Sequence, residues 1–65
     1  MKIQVGKTYV GKDGKTERTV VRLYRNLSPE ARHHWLQYRK PADIYEYECF
    51  IPTFVRWAKS EVPEP

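Results

Sequence analysis

The Asp13-Gly14 dipeptide constrains the fold of this chain more than any other local feature of its sequence. It separates residues 7–10 from residues 16–24, and both segments are rich in residues that favour β-strands. An Asp-Gly pair supplies the positive φ angles that the two central residues of a type I′ turn require. The sequence therefore predicts a β-hairpin whose turn is centred on these two residues.

The centre of this turn also sets the register of the two strands, and so decides which side chains share a face. Val10 is then opposite Glu17, and Tyr9 is opposite Arg18. Because side chains alternate along a strand, one face is basic and aromatic and the other is apolar. We expect the apolar face to be buried, although a one-residue bulge would exchange the faces beyond it. The basic and aromatic face comprises Tyr9, Arg18, Val20, Arg22 and Tyr24, and the other comprises Thr19 and the buried pair Val21 and Leu23.

The segment after the hairpin is compatible with a helix or with a strand. Ser28, followed by Pro29 and Glu30, is a typical helix start. Four side chains recur beyond it at near-helical spacing, namely Leu27, Ala31, Trp35 and Tyr38. A helix that reaches Tyr38 therefore stays open. Residues 35–39 are rich in aromatics that favour strands, so we predict a short helical turn followed by a third strand.

The clearest strand in the sequence follows a turn at residues 40–43. Residues 44–50 alternate with period two. The alternation places Tyr45, Tyr47 and Cys49 on one side and Glu46 and Glu48 on the other. This pattern predicts a fourth strand.

A short helix near residues 52–59 is expected next, because Pro52 suits the first turn of a helix. Lys59 would lie near its C-terminus, where a positive charge favours the helix dipole. Pro63 prevents the helix from continuing. We therefore expect a single domain of residues 1–60, followed by a frayed tail of residues 61–65. The residues expected to pack on the sheet are Phe54, Val55 and Ala58.

These elements predict a mainly β (α+β) domain, a small four- to five-stranded antiparallel SH3-like or Tudor-like half-barrel with a short C-terminal helix. Several segments also resemble small uncharacterised proteins encoded by phages and prophages, and this resemblance implies phage origin without an activity to transfer. Such relatives would have a small polar residue at the helix start, where this chain has Phe50-Ile51-Pro52. The resembling segments are Val5-Gly6-Lys7-Thr8-Tyr9, Arg18-Thr19-Val20, Tyr38-Arg39 and Phe54-Val55-Arg56-Trp57-Ala58.

Charge is unevenly distributed along the chain. Residues 1–40 contain ten Lys/Arg and three Asp/Glu, whereas residues 41–65 contain two and five, so the two parts carry +7 and −3. The basic part could steer the protein toward a polyanion. Alternatively, Glu46 and Glu48 pair with arginines across neighbouring strands and neutralise them.

Aromatic residues interleaved with arginines favour a nucleic-acid-binding module, since small barrels bind single strands through this combination. The expected nucleic-acid-binding residues are Arg18, Arg22, Tyr24, Arg25, Trp35, Arg39 and Lys40. The competing interpretation is that Tyr24 and Trp35 are core or half-buried residues, as in many domains of this size. A second hypothesis is a protein-binding module or inhibitor acting on a host or phage protein, or a homodimer. It would use an apolar patch near Phe54 or Trp57, or an unpaired strand edge.

Candidate catalytic and metal sites are weak. His33, His34 and Cys49 match no zinc-finger spacing and lack a fourth ligand, so we expect no metal and no cofactor. Ser28 and Asp43 could be combined with either histidine into a triad, but no nucleophile elbow is present. We therefore expect that the protein is not an enzyme and has no small-molecule substrate.

Location is inferred from what the sequence contains. The one cysteine cannot form an internal disulfide, and the first residues lack the apolar stretch of a signal peptide. No apolar run approaches the roughly 20 residues needed to cross a bilayer. We expect a cytoplasmic protein without a membrane partner.

Overall fold

The computed structural model describes residues 2–24 and 35–63, and within them the chain forms five strands and one short helix. The elements are β1 (Thr8–Gly11), β2 (Glu17–Tyr24), β3 (Trp35–Arg39), β4 (Glu46–Phe50), α1 (Ile51–Trp57) and β5 (Ala58–Glu61). The strands pair antiparallel in the order β4-β3-β2-β1-β5. The predicted mainly β architecture is confirmed. Among the described residues β4 and β5 are the two edges of an open sheet, so the half-barrel stays a prediction.

The first hairpin has the predicted register but a different turn. Val10 is opposite Glu17, as expected. Gly14 has a positive φ of 73°, whereas Asp13 does not have the positive φ that a type I′ turn requires. The Asp13 carboxylate instead accepts the backbone N–H groups of Lys15 and Thr16, each at 3.0 Å. These hydrogen bonds organise the turn around the aspartate side chain, which is why the type I′ prediction is wrong.

The same turn gives the stability of the protein a pH dependence. Hydrogen bonds from Thr16, first from its hydroxyl and then from its backbone, lower the pKa of Asp13 from 3.8 to about 2. A carboxylate whose pKa is lowered by folding stabilises the fold above its unfolded pKa, and that contribution is lost as pH falls through its folded pKa. We expect the carbon NMR titration of the Asp13 carboxyl to have its midpoint near pH 2. In the Thr16→Val control the midpoint should move toward 3.8, and a wild-type midpoint already at 3.8 would contradict the assignment.

The core lies between one face of the sheet and α1. Phe54 is fully buried at its centre, and its ring centroid lies 5.6 Å from that of Tyr9 and 5.8 Å from that of Tyr38. Ala58 is also buried, so the predicted packing is confirmed for both residues, whereas Val55 is 38% exposed and does not join them. The buried hydrophobic residues are Tyr9, Val20, Leu36, Tyr38, Phe54 and Ala58.

A β-bulge interrupts the middle of β2. Val20 pairs with Tyr38, but the next pair along the ladder joins Arg22 to Gln37, so Val21 is the extra residue. A bulge of one residue exchanges the two faces of a strand beyond it. The two ends of β2 therefore present their alternate side chains to opposite sides of the sheet.

The bulge corrects the predicted faces of β2. Val20, expected on the exposed basic face, is 1% exposed, and Val21 is only half-buried. Leu23, beyond the bulge, packs against the core as expected. Arg18 stays on the core side, whereas Arg22 lies on the opposite side. The prediction of one continuous basic and aromatic face is therefore wrong.

Residues 35–39 form the interior strand β3, so the predicted third strand is confirmed. The alternative of a helix that reaches Tyr38 is wrong for these residues, because ladders with β2 on one side and β4 on the other hold them extended. The expected helical turn at Ser28 lies outside the described residues.

The helix is shorter than expected because the chain returns to the sheet. Ala58 is extended, with φ −73° and ψ 131°, and begins β5, so Lys59 lies in a strand and not at a helix C-terminus. Glu61 pairs with Tyr9, and the backbone N–H of Val62 donates to the carbonyl of Thr8 at 2.8 Å. The tail boundary expected at residue 61 therefore falls within a paired segment. In the described part of the chain, no helix is long and apolar enough to cross a membrane.

Candidate binding face of the sheet

The side of the sheet opposite α1, here called the outer face, carries three rows of side chains across β2, β3 and β4. The register of the two ladders defines each row. The first and second rows are polar, and the third is aromatic. The rows are Thr19–Arg39–Glu46, Arg22–Gln37–Glu48 and Tyr24–Trp35–Phe50.

The two arginines of the outer face share one carboxylate. Arg39 and Arg22 each donate to Glu46 at 3.0 Å, and Arg22 also donates to Gln37 at 2.8 Å. The hydrogen bonds from Arg39 and then Arg22 hold the pKa of the Glu46 carboxyl below its ordinary value. The expectation that acidic residues of β4 neutralise arginines on neighbouring strands is therefore confirmed for Glu46.

Glu48 has a different environment on the same strand. Its carboxylate accepts a hydrogen bond from the Gln37 amide at 3.2 Å. Within residues 2–24 and 35–63 it forms no ion pair. Among the described residues, Glu48 is therefore linked to Arg22 only through Gln37, which accepts from Arg22 and donates to Glu48.

The third row forms a cluster that we call the aromatic corner, consisting of Tyr24, Trp35 and Phe50. These side chains are 46%, 37% and 36% exposed, and the ring centroids of Trp35 and Phe50 are 3.8 Å apart. The Tyr24 hydroxyl donates to Gln37 at 3.3 Å. Contiguous exposed apolar surface on a small domain often marks an interaction site. Tyr24 and Trp35 therefore lie outside the core, and their partial exposure agrees with the interpretation that they are half-buried.

A shallow, open pocket of about 300 Å³ adjoins the aromatic corner. Tyr24, Trp35 and Glu48 line it. The pocket therefore combines two aromatic surfaces with the carboxylate that lacks a described cationic partner.

The structure does not bring all the predicted nucleic-acid-binding residues together. Arg22, Tyr24, Trp35 and Arg39 lie on the outer face, and Arg25 lies outside the described residues. The Arg18 guanidinium lies on the core side, 4.6 Å from the Tyr38 ring centroid and 4.1 Å from that of Trp57. Its Nε is buried and has no hydrogen-bond partner among the residues that the structure describes.

Lys40 is also separated from the outer face. Its Nζ lies 4.6 Å from the ring centroid of Tyr47, and Tyr47 stacks on the core residue Tyr38. Phe54 is fully buried, so its side chain adds no exposed surface to the apolar patch of the protein-binding hypothesis.

Sequence reasoning missed the contribution of Phe50 and offered the pairing of Glu46 and Glu48 with arginines only as one alternative. Their period-two spacing was the available indication, since it places residues 46, 48 and 50 on one side of β4. What the spacing lacks is the register with β3, which brings Glu46 opposite Arg39 and Phe50 opposite Trp35.

The candidate catalytic and metal-binding residues add no site to this face. His33, His34 and Ser28 lie outside the described residues. Among the residues that the structure describes, no three His, Cys, Asp or Glu side chains are grouped to hold a metal ion. Burial raises the pKa of the Cys49 thiol, which disfavours the reactive thiolate.

No protein-family model, curated protein or solved structure matches this chain. The resemblance to phage-encoded proteins therefore stays a prediction. Only the chemistry of the outer face therefore indicates a function.

Proposed function

We propose that this chain is a non-catalytic protein-binding module that contacts its partner through the outer face, with the aromatic corner at the centre of the interface. The observation that carries this proposal is the ion pairing of both outer-face arginines with Glu46. Because both guanidinium groups are already held by a carboxylate, the most distinctive exposed surface on this face is aromatic. Tyrosine and tryptophan are enriched at the centres of protein interfaces.

Nucleic acid is a less suitable partner for the same face. A phosphate that approaches Arg22 or Arg39 meets the Glu46 carboxylate, which lies 3.0 Å from each guanidinium. Glu48 adds a second negative charge two residues further along β4. In a nucleic-acid complex, protein cations replace the counterions condensed on the phosphates. Both carboxylates oppose that replacement because they repel the phosphates.

The position of β4 also supports a protein partner. Among the described residues β4 pairs with β3 on one side only, and its last residue is Phe50, which belongs to the aromatic corner. An edge strand can accept an extended peptide through backbone hydrogen bonds while neighbouring pockets take its side chains.

Nucleic-acid binding through Arg22, Tyr24, Trp35 and Arg39 is the second candidate function. The net charge of +4 and the sequence pI of about 9.4 favour it. Exposed Tyr24 and Trp35 would then stack on bases. It requires the exposed pairs with Glu46 to be displaced, which is feasible because such pairs contribute little stability.

Selection of a displayed random-peptide library on the immobilised protein tests the first proposal. We expect enriched peptides that bind the wild type and lose at least about tenfold affinity for Tyr24→Ala and for Trp35→Ala, since central aromatics typically contribute more than 1 kcal/mol. Tyr45→Ala is the matched control, because Tyr45 is a 65% exposed tyrosine outside the aromatic corner. Peptides sensitive only to Tyr45→Ala would overturn the proposed surface.

Filter binding with single- and double-stranded DNA across salt concentrations separates the two candidates. The protein-binding proposal predicts no appreciable retention at about 50 mM salt. The second candidate instead predicts retention that weakens with salt and falls in the Arg22→Ala/Arg39→Ala double variant, with a salt dependence shallower by roughly two contacts. That second result would replace protein binding with nucleic-acid binding as the function.

A further inference from the structure

Two glutamates on the same face of β4 are in opposite electrostatic situations. Glu46 pairs directly with both Arg22 and Arg39, each at 3.0 Å. Glu48 accepts one hydrogen bond from a neutral amide, that of Gln37. The outer face therefore has one satisfied carboxylate and one that, among the described residues, lacks a cation.

Glu48, which has no direct ion pair among the described residues, lines the pocket beside two aromatic rings. Among the described residues, Tyr24 and Trp35 form the other walls of the pocket. Its volume of about 300 Å³ accommodates a single long side chain. The rings remain 46% and 37% exposed, so an incoming group can reach them. The pocket thus offers π-surfaces and a negative charge to the same ligand group.

This combination is the one that recognises a cation. Aromatic faces attract ammonium and guanidinium groups through the ring quadrupole, and a nearby carboxylate adds charge complementarity. The chain already contains such packing, since the guanidinium of Arg18 lies between the rings of Tyr38 and Trp57 at 4.6 and 4.1 Å from their centroids. An apolar side chain in the pocket would instead bury part of the Glu48 carboxylate without supplying a cation to pair with it, which is unfavourable.

We propose that the pocket formed by Tyr24, Trp35 and Glu48 takes a lysine or arginine side chain of the protein partner. This inference rests on the proposed function and adds to it the class of side chain that the partner must present. The aliphatic stem packs on the two rings, and the charged end pairs with the Glu48 carboxylate. Anionic groups are excluded from the pocket by the same carboxylate.

Small probes test the pocket without knowledge of the partner. The probes are the Nα-acetyl N-methylamides of lysine, arginine, norleucine and Nε-acetyl-lysine, and the readout is the NMR shift of the Trp35 indole N–H and the Glu48 backbone amide. We expect saturable shifts with the lysine and arginine probes. The two neutral probes should bind at least about tenfold more weakly, which corresponds to one cation–π contact and one carboxylate contact.

Variants assign the effect to the proposed groups. Glu48→Gln should weaken the lysine probe about tenfold, and Tyr24→Leu should weaken it similarly. Glu61→Gln is the control, because Glu61 lies on β5 at the opposite edge of the sheet, and it should leave the affinity within about twofold.

The outcomes separate this inference from the proposed function. Equal binding of norleucine and lysine, or a wild-type response to Glu48→Gln, overturns cation recognition. No saturable shift with any probe overturns the pocket as a binding site. In each of these cases the peptide selection still tests the aromatic corner as a contact surface, because its Tyr24→Ala and Trp35→Ala arms do not depend on the charge of the ligand.

Discussion

Phe54→Ala is expected to leave most of the protein unfolded at 25 °C. Phe54 is fully buried and contacts the rings of Tyr9, Tyr38 and Trp57, with centroid distances of 5.6, 5.8 and 5.1 Å. Removing a buried phenylalanine costs about 3–5 kcal/mol in lost burial and cavity formation. A single core in a chain this short supplies only about 3–5 kcal/mol in total, so the substitution consumes the whole stability.

Denaturant unfolding followed by circular dichroism measures this effect. Val55→Ala is the matched control, because Val55 is the next residue of α1 and is 38% exposed. We expect the control to change the free energy of unfolding by about 0.5 kcal/mol or less. A Phe54→Ala protein with the wild-type denaturation midpoint would show that α1 does not hold the core together.

Gly11→Ala is expected to destabilise the protein by about 1–3 kcal/mol, the usual cost of forcing extra volume into a packed site. A Cβ atom at this position would lie 2.6 Å from Nε1 and 2.7 Å from Cε2 of the Trp57 indole. The ring cannot easily move, because the Arg18 guanidinium lies 4.1 Å from its centroid and Phe54 packs beside it. The backbone of Gly11 is itself held by a hydrogen bond to Thr16.

A double-mutant cycle with Trp57→Leu isolates the clash from other effects of the alanine. The smaller side chain leaves room for the Cβ atom, so Gly11→Ala should cost less in the Trp57→Leu background than in the wild type. The difference is the coupling energy between the two positions. Strictly additive unfolding free energies would mean that the indole is not what requires glycine at this position.

The parts of the fold that the sequence predicts are those encoded by neighbouring residues. Asp13-Gly14 predicts the hairpin register because the turn and both strands lie within one short segment. Period-two alternation likewise predicts β4. The bulge at Val21 has no local marker, since it arises from the pairing of β2 with β3. The sequence predicts a helix end and a tail where the structure has β5. Local sequence does not reveal this strand, because it pairs with β1 from a distant part of the chain.

The candidate site was predicted in the same partial way. Exposed Tyr24 and Trp35 were selected from their residue types, and they do adjoin on the outer face. Arg18 was assigned to the same face because the bulge was not foreseen. The pairing of Glu46 with two arginines depends on the combined register of β2, β3 and β4. From the sequence, this pairing is only one of two interpretations.

The order of the strands also has a kinetic consequence. Strands β2, β3 and β4 each follow their partner along the chain, whereas β1 pairs with β5 through contacts such as Tyr9 with Glu61. Closing that long loop costs chain entropy before any contact repays it. The four-stranded meander can therefore assemble from short-range contacts first. Docking of β5, which follows the helix that completes the core, is then the high-contact-order step of folding.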